Sequence, residues 1–355
     1  MLAVLLGFAT APSAWAVVGG TPADPATGDH VVALLDPAAV DNRAGQYCTG
    51  TLVDAQWVVT AAHCTYGLRP EQIQAAAGRT SLSTVTPDDR YAVDAIAQYP
   101  LYHPRRWGHD IALVHLARPV PPSISPAVER YQRGPSASYA AAGWVSGWGA
   151  TMDAPNGSDQ LLTGQISVST PAQCRMLGAP WGTICGTMPF TAEASACWGD
   201  SGGPLETGGI LIGVVSFGPE GCDNSSPTAY THVGTYSTWI DWVRRGGDAR
   251  VSLPEVTDLR VQQVPGTRWT RLTMRWCQSG GLGHRVTTHF RTRERGIWHF
   301  SRASTRTVRT RCSTYSVEHR RAHPAGSTVT VFADVRDATT GMRYWSTYPT
   351  RLRIR

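Results

Sequence analysis

Short apolar runs recur along the first two thirds of the chain, set apart by Gly, Pro, Asn and Asp. "HVVALL", "WVVTAA", "IALVHL", "GQISVS" and "GILIGVVSF" have strand length and are rich in Val and Ile. Such spacing predicts antiparallel strands in barrels or sandwiches. One segment departs from it. In "TYSTWIDWVRR", near 235–245, Trp239, Ile240 and Val243 recur at helical spacing and arginines close the last turn. "GGD" at 246–248 reads as a stop and linker. Past residue 254 the pattern changes again. "VTDLRV", "RLTMRW", "HRVTTHFRTR", "TYSVEHR" and "TVTVFADV" alternate apolar and polar residues with period two, and arginines take the polar positions. Strands exposed on one face have this pattern.

The patterns divide the chain into a leader at 1–16, a first unit at 17–245, a linker at 246–253 and a second unit at 254–355. A length of 355 residues accommodates two domains. The leader combines an apolar run, "MLAVLLGFA", with small residues at Ala14 and Ala16, which predicts export and cleavage after Ala16. No Lys or Arg precedes that run. No later stretch approaches the roughly 20 apolar residues that span a bilayer. Eight cysteines without a C-x-x-C pair fit an oxidising compartment better than a zinc ribbon or a thioredoxin-type site.

Charge sharpens the division. The chain has no lysine; all 32 basic residues are arginine. Residues 1–249 hold 12 Arg against 20 acids, whereas residues 250–355 hold 20 Arg against 6. Two units of opposite sign predict two kinds of partner.

The chemistry concentrates in "CWGDSGGPL" at 197–205. A serine hydroxyl is a weak nucleophile that needs a base within hydrogen-bond reach and backbone N–H donors for the oxyanion formed on attack. Gly199 lets the chain turn so that its amide and that of Ser201 can aim at one point. "VVTAAHC" ends a strand on His63, and "HDIALVHL" sets Asp110 at the head of another. A histidine can take the serine proton while a buried carboxylate fixes its tautomer. The order His63, Asp110, Ser201 differs from that of subtilisins and α/β-hydrolases. The other first-unit histidines, His30, His103, His109, His115 and His232, read as surface or satisfied core residues. Asp24, Asp29, Asp88 and Asp89 lie in turn-rich stretches and are expected to be solvated.

"VVGG", "TAAHC", "DIALVHL", "SGWG" and "GDSGGP" together make residues 17 to about 245 resemble a secreted, bacterial-type serine endopeptidase of the chymotrypsin/trypsin family. The resemblance implies an all-β fold: two six-stranded antiparallel β-barrels with a C-terminal helix and the catalytic groups at their interface. It implies His63 as general base and acid, Asp110 as its orienter and Ser201 as nucleophile, with Gly199 and Ser201 forming the oxyanion hole. Ser216 would bond near Asp110, and Ser216, Phe217 and Gly218 would offer an edge to the substrate backbone. Cys48 would pair with Cys64, Cys174 with Cys185 and Cys197 with Cys222.

The resemblance also gives the leader a second role. In this family a new N-terminal ammonium folds inward onto the Asp beside the nucleophile; here these are Val17 and Asp200. The signal cut itself would expose Val17, so export and activation are expected to be one event. Ser195 falls at the base of the primary pocket, where a trypsin carries Asp. Thr228 stands at a wall position where wide-pocket relatives carry Gly. Small or medium apolar residues are therefore expected before the scissile bond. "IQAAAGRTSLS", at the family's calcium loop, contains no acid, so neither metal nor other cofactor is expected.

The second unit weakly resembles a fibronectin type III-like β-sandwich, although Val329 stands where that family has a corner tyrosine and a Cys277–Cys312 bridge is untypical of it. His284, His289, His299, His319 and His323 are scattered among arginines without metal-site spacing. The arginines read either as a solubilising face or as a surface for an anionic polymer of cell wall or polysaccharide, with Trp298, Tyr344 and Trp345 placed to stack. The partners expected are protein or peptide substrates and that polymer. The oligomeric state is not legible, with a monomer the default. A catalytically silent protease-fold binding protein tethered through the Arg-rich unit, and an esterase, are the competing readings.

Overall fold

The computed structural model describes residues 17–247, except 106, 126–130, 134–141, 152–153, 177, 181, 188–193 and 223–226, together with the strands between 255 and 354. Strand β1 (Thr21–Pro22) leads into β2 (Val31–Leu35), β3 (Gln46–Leu52), β4 (Trp57–Thr60), β5 (Gln74–Ala76), β6 (Arg90–Gln98) and β7 (Ala112–Leu116). There follow β8 (Ala142–Gly147), β9 (Leu162–Val168), β10 (Thr183–Thr187), β11 (Pro204–Thr207), β12 (Ile210–Phe217) and β13 (Ala229–His232). Helices α1 (Pro25–Gly28), α2 (Asn42–Gly45) and α3 (Pro171–Met176) are single short turns in loops, and α4 (Val233–Arg244) follows the last barrel strand.

Strands β2-β3-β4-β7-β6-β5 close a six-stranded barrel. Strands β8 to β13 form a second ring in the order β9-β10-β13-β12-β11-β8, joined by the β8–β9 pairing, with β1 alongside β9. All these pairings are antiparallel. Two six-stranded barrels and a C-terminal helix are the architecture that the family resemblance implies. The unbroken apolar run of β2 is buried at all five positions, whereas β6, "RYAVDAIAQ", buries Tyr91 and Val93 between exposed neighbours. In α4 the predicted stripe of Trp239, Ile240 and Val243 is buried, together with Val233 and Tyr236.

Polar ties join the parts. His30, at the start of the first barrel, meets both Glu206 carboxylate oxygens at 3.0 and 3.1 Å on the second. Burial disfavours the charged imidazole, but the Glu206 carboxylate outweighs it and raises the pKa. Asp241 of α4 bonds Tyr131 and Arg133 on the inter-barrel connection, and Arg244 donates to Asp54 at 2.7 Å. Asp89 corrects an expectation. It is 5% exposed rather than solvated, because Arg79 and the Thr86 amide and hydroxyl all satisfy its carboxylate.

Disulfides join Cys48–Cys64, Cys174–Cys185 and Cys197–Cys222. The first spans 16 residues, which on a chain-entropy account contributes about 3 kcal/mol. Strands β14 (Glu255–Gln263), β15 (Thr270–Cys277), β16 (Arg285–Glu294), β17 (Ile297–Phe300), β18 (Ser304–Thr307), β19 (Cys312–His319), β20 (Thr328–Asp337), β21 (Arg343–Ser346) and β22 (Thr350–Arg353) make up the second unit. They form a β14-β15-β19 sheet and a larger one centred on β16 and β20. The alternation is visible in β15, where Leu272 and Met274 are buried and Arg275 is exposed. The register sets Cys277 opposite Cys312, but their bridge falls outside the described residues, as do the leader, His284, His323 and the side chains of Trp298, Tyr344 and Trp345. Among the described residues no helix is long and apolar enough to cross a membrane.

Candidate active site

His63 sits in a 3-10 turn just after β4, anchored from behind by the Cys48–Cys64 bridge. Asp110 precedes β7 and is fully buried. Its Oδ1 accepts the His63 backbone amide at 2.8 Å, and its Oδ2 meets His63 Nδ1 at 2.7 Å and the Ser216 hydroxyl at 2.6 Å. Thr231 donates to the Asp110 carbonyl at 2.7 Å. An ionised carboxylate only accepts, so Nδ1 must carry a proton and Nε2 of the neutral ring is left basic. Next to Asp110, His109 bonds Tyr236 at 3.0 Å and stacks on Tyr99. Burial pushes its pKa down to about 4, which keeps this ring uncharged at neutral pH.

Ser201 comes from the other barrel, on the turn before β11. The Ser201 carbonyl accepts the Thr49 amide of β3 at 2.8 Å and lies 3.5 Å from Cys64 Sγ, which adjoins His63. No hydrogen bond joins the Ser201 hydroxyl to His63 among the described residues; substrate-free sites often tighten this contact only in the Michaelis complex. Gly199 has φ +97°, a conformation that disfavours side chains. Its carbonyl accepts from Gln46 Nε2 and Thr49 Oγ1, both at 2.9 Å. The Trp198 carbonyl, which shares a trans peptide plane with the Gly199 amide, accepts the Ala150 amide at 2.6 Å, so the Gly199 N–H points the opposite way. Among the described residues the amides of Gly199 and Ser201 donate to no protein acceptor. Gln46 and Thr49 are site residues that the sequence motifs do not reveal.

Behind the turn lies Asp200, fully buried. It accepts the Gly149 and Cys197 amides at 2.8 Å each, and the Val17 backbone nitrogen. A side chain at Gly149 would come within 2.6 Å of the Asp200 carboxyl carbon, which explains a glycine in "SGWG". Burial outweighs the three N–H donors and pushes the Asp200 pKa up to about 7. Val17 itself is fully buried, and Val18 bridges to Ser195, whose amide donates to the Val18 carbonyl at 2.9 Å.

Ser195 and Thr228 are 4% and 7% exposed. Thr228 Oγ1 lies 3.0 Å from where a Cβ on Gly218 would stand, so the threonine fills the space that this glycine leaves. Phe217 packs near Trp107 with ring centroids 5.7 Å apart, and Trp107 reaches within 6.1 Å of the His63 ring. Trp198, 67% exposed, donates to the Glu220 carbonyl. Cys48, His63 and Cys64 cluster closely enough for a metal, but the two sulfurs are joined in a disulfide and offer no thiolate.

Paired β-barrels with a histidine–carboxylate couple on one and a glycine-flanked serine on the other define the chymotrypsin-like class of serine hydrolases. The family model described as Trypsin matches residues 17–240. Serine protease SP24D of Anopheles gambiae is 34% identical over 64% of this chain and 81% of its own. A protein named trypsin from Saccharopolyspora erythraea is 33% identical over 62% of this chain and 94% of its own, and one from Squalus acanthias is 32% identical over 56% and 86%. The chain belongs to the trypsin family and is a serine endopeptidase.

Proposed function

We propose that the chain is a secreted endopeptidase that cleaves after small or medium apolar residues through an acyl-enzyme on Ser201. The two unpartnered amides of Gly199 and Ser201, beside a His63 ring held by buried Asp110, carry this reading. Ser201 Oγ attacks the scissile carbonyl and passes its proton to His63 Nε2. The amides receive the oxyanion as it forms, and Asp110 stabilises the imidazolium. His63 then gives the proton to the leaving amine, and water repeats the sequence on the ester. An intact apparatus of this kind disfavours the silent-binder reading.

The pocket carries the specificity. Ser195 supplies no negative charge for an arginine or lysine, and Thr228 narrows the wall opposite Gly218. Replacing Thr228 by glycine is expected to shift preference toward Phe and Tyr by about 10- to 100-fold in kcat/KM ratio, on the scale of a methylene or two in an apolar pocket. A panel of chromogenic peptides checks this, and a strong Arg or Lys preference in the unmodified enzyme contradicts the assignment.

Activation rests on Val17 and Asp200. A β-branched residue at φ 49° is strained while a peptide bond precedes it, whereas a terminal residue has no such torsion. A cut after Ala16 removes that strain and supplies a cation to a buried carboxyl. The Arg-rich β-sandwich at 254–355 then docks the enzyme on an anionic polymer. Retention of the full chain on an anionic polysaccharide resin is expected to fall steeply between 50 and 200 mM salt, roughly tenfold or more. Salt-independent passage through the resin contradicts docking.

A further inference from the structure

A second site lies on the outer wall of the first barrel. An open cavity of about 640 Å³ is formed by the loop into α2, the start of β6 and the residues after β7. Its apolar lining includes Val40, Val85, Pro87 and Ala117, and two guanidinium groups, Arg90 and Arg118, enter it. Among the described residues neither has a carboxylate partner. Arg90 donates through Nε and Nη2 to the Asn42 side-chain carbonyl and through Nη1 to that of Gln74, at 3.2 Å. Asn42 is itself fixed, its Nδ2 donating to the Leu82 and Val85 carbonyls. Arg118 lies over the Tyr91 ring, 4.0 Å from its centroid, and donates to the Asp88 and Arg90 carbonyls.

Neutral acceptors orient a guanidinium without cancelling its charge, and leave it prepared for an anion. The nearby acids do not fill that role. Asp89 is engaged by Arg79 and Thr86, exposed Asp88 meets Arg118 through its backbone carbonyl rather than its carboxylate, and Asp41, the one carboxylate on the lining, caps α2 through the Ala44 amide at 2.8 Å. The balance on the wall is two cations to one anion, among apolar surface.

We infer that this cavity is a docking site for an acidic segment of the protein substrate, an Asp or Glu side chain meeting Arg90 and Arg118 while a neighbouring apolar side chain rests on Val85, Pro87 and Ala117. It rests on the endopeptidase reading, yet sets which proteins are cleaved rather than which bond. Val40, 93% exposed at the rim, is an apolar contact available to an incoming chain.

The test compares the activated full-length enzyme on three peptides with one cleavage sequence: a short one, one extended on either side by a Glu/Asp/Phe tail, and one extended by a Gln/Ser/Phe tail. The acidic tail on one side is expected to raise kcat/KM about tenfold over the neutral tail. Arg118→Glu and Arg90→Gln should erase that gain and leave the short peptide unaffected. A fluorescent acidic tail peptide alone should bind the unmodified enzyme and not Arg118→Glu. Equal cleavage of acidic and neutral tails with no binding of the tail peptide overturns the docking site. Failure to cleave even the short peptide overturns the endopeptidase reading instead, and the binding measurement still decides the cavity.

Discussion

Alanine at Ser201 is expected to lower kcat for peptide hydrolysis by roughly 10⁶-fold, the scale for removing a serine nucleophile from a complete triad. His63→Ala should cost about as much, and the double variant little more, because the two groups act on one proton. The residual rate comes from the Gly199 and Ser201 amides, which neither substitution removes. Both variants should keep the stability of the parent. His63 is partly exposed, and its removal leaves Asp110 with the Ser216 hydroxyl and the amide of residue 63 as donors. Stopped assays on a chromogenic peptide, alongside thermal unfolding, check both halves of the expectation.

The second large effect is at the N-terminus. One extra residue before Val17 should give a folded protein with activity reduced about 10²- to 10⁴-fold, the consequence of removing one partner, worth about 3–5 kcal/mol, from a buried ion pair. Asp200→Asn should do the same. The pH dependence distinguishes the two partners. In the activated enzyme the Val17 ammonium, ordinarily near pH 7.7–8.0, is raised by its carboxylate. Its contribution is complete below that range and is lost as pH rises through the higher, folded value. In the extended variant no cation faces Asp200, and burial sets its pKa to about 7. The folded value is raised above the unfolded one, so stability is retained at low pH and lost as pH climbs through about 7. The ordered 197–203 turn should therefore melt at lower pH in the extended variant, as read by hydrogen exchange.

Much of this site was legible because the chemistry demands particular residues at particular places. A proton acceptor on one strand end, a carboxylate on another and a serine among glycines leave local signatures in "TAAHC", "HDIALVHL" and "GDSGGP". The spacing of short apolar runs indicates barrels or sandwiches and the helical spacing indicates α4, whereas the two six-stranded barrels follow only from the family resemblance. What stayed hidden depends on long-range contact. Gln46 and Thr49 look like ordinary polar positions in a barrel strand, and only the fold brings them to the Gly199 carbonyl. Asp89 sits in the hydrophilic stretch "TPDDR", yet it is buried, because a carboxylate with three donors can leave water at little cost. Trp107 belongs to a loop without periodicity, and only the fold brings its ring within 6.1 Å of His63 and 5.7 Å of Phe217. Arg90 and Arg118 are indistinct in the sequence as two arginines among 32, since their neutral partners lie 16 to 48 residues away, on Asn42, Gln74 and the backbone of Asp88 and Arg90.

Mass spectrometry after fluorophosphonate treatment of the enzyme beginning at Val17 tests the central claim most directly. One adduct on Ser201, lost in His63→Ala and absent when a residue precedes Val17, is the predicted result. An adduct on another residue, or an unlabelled Ser201 in protein with a free Val17 amine, contradicts it.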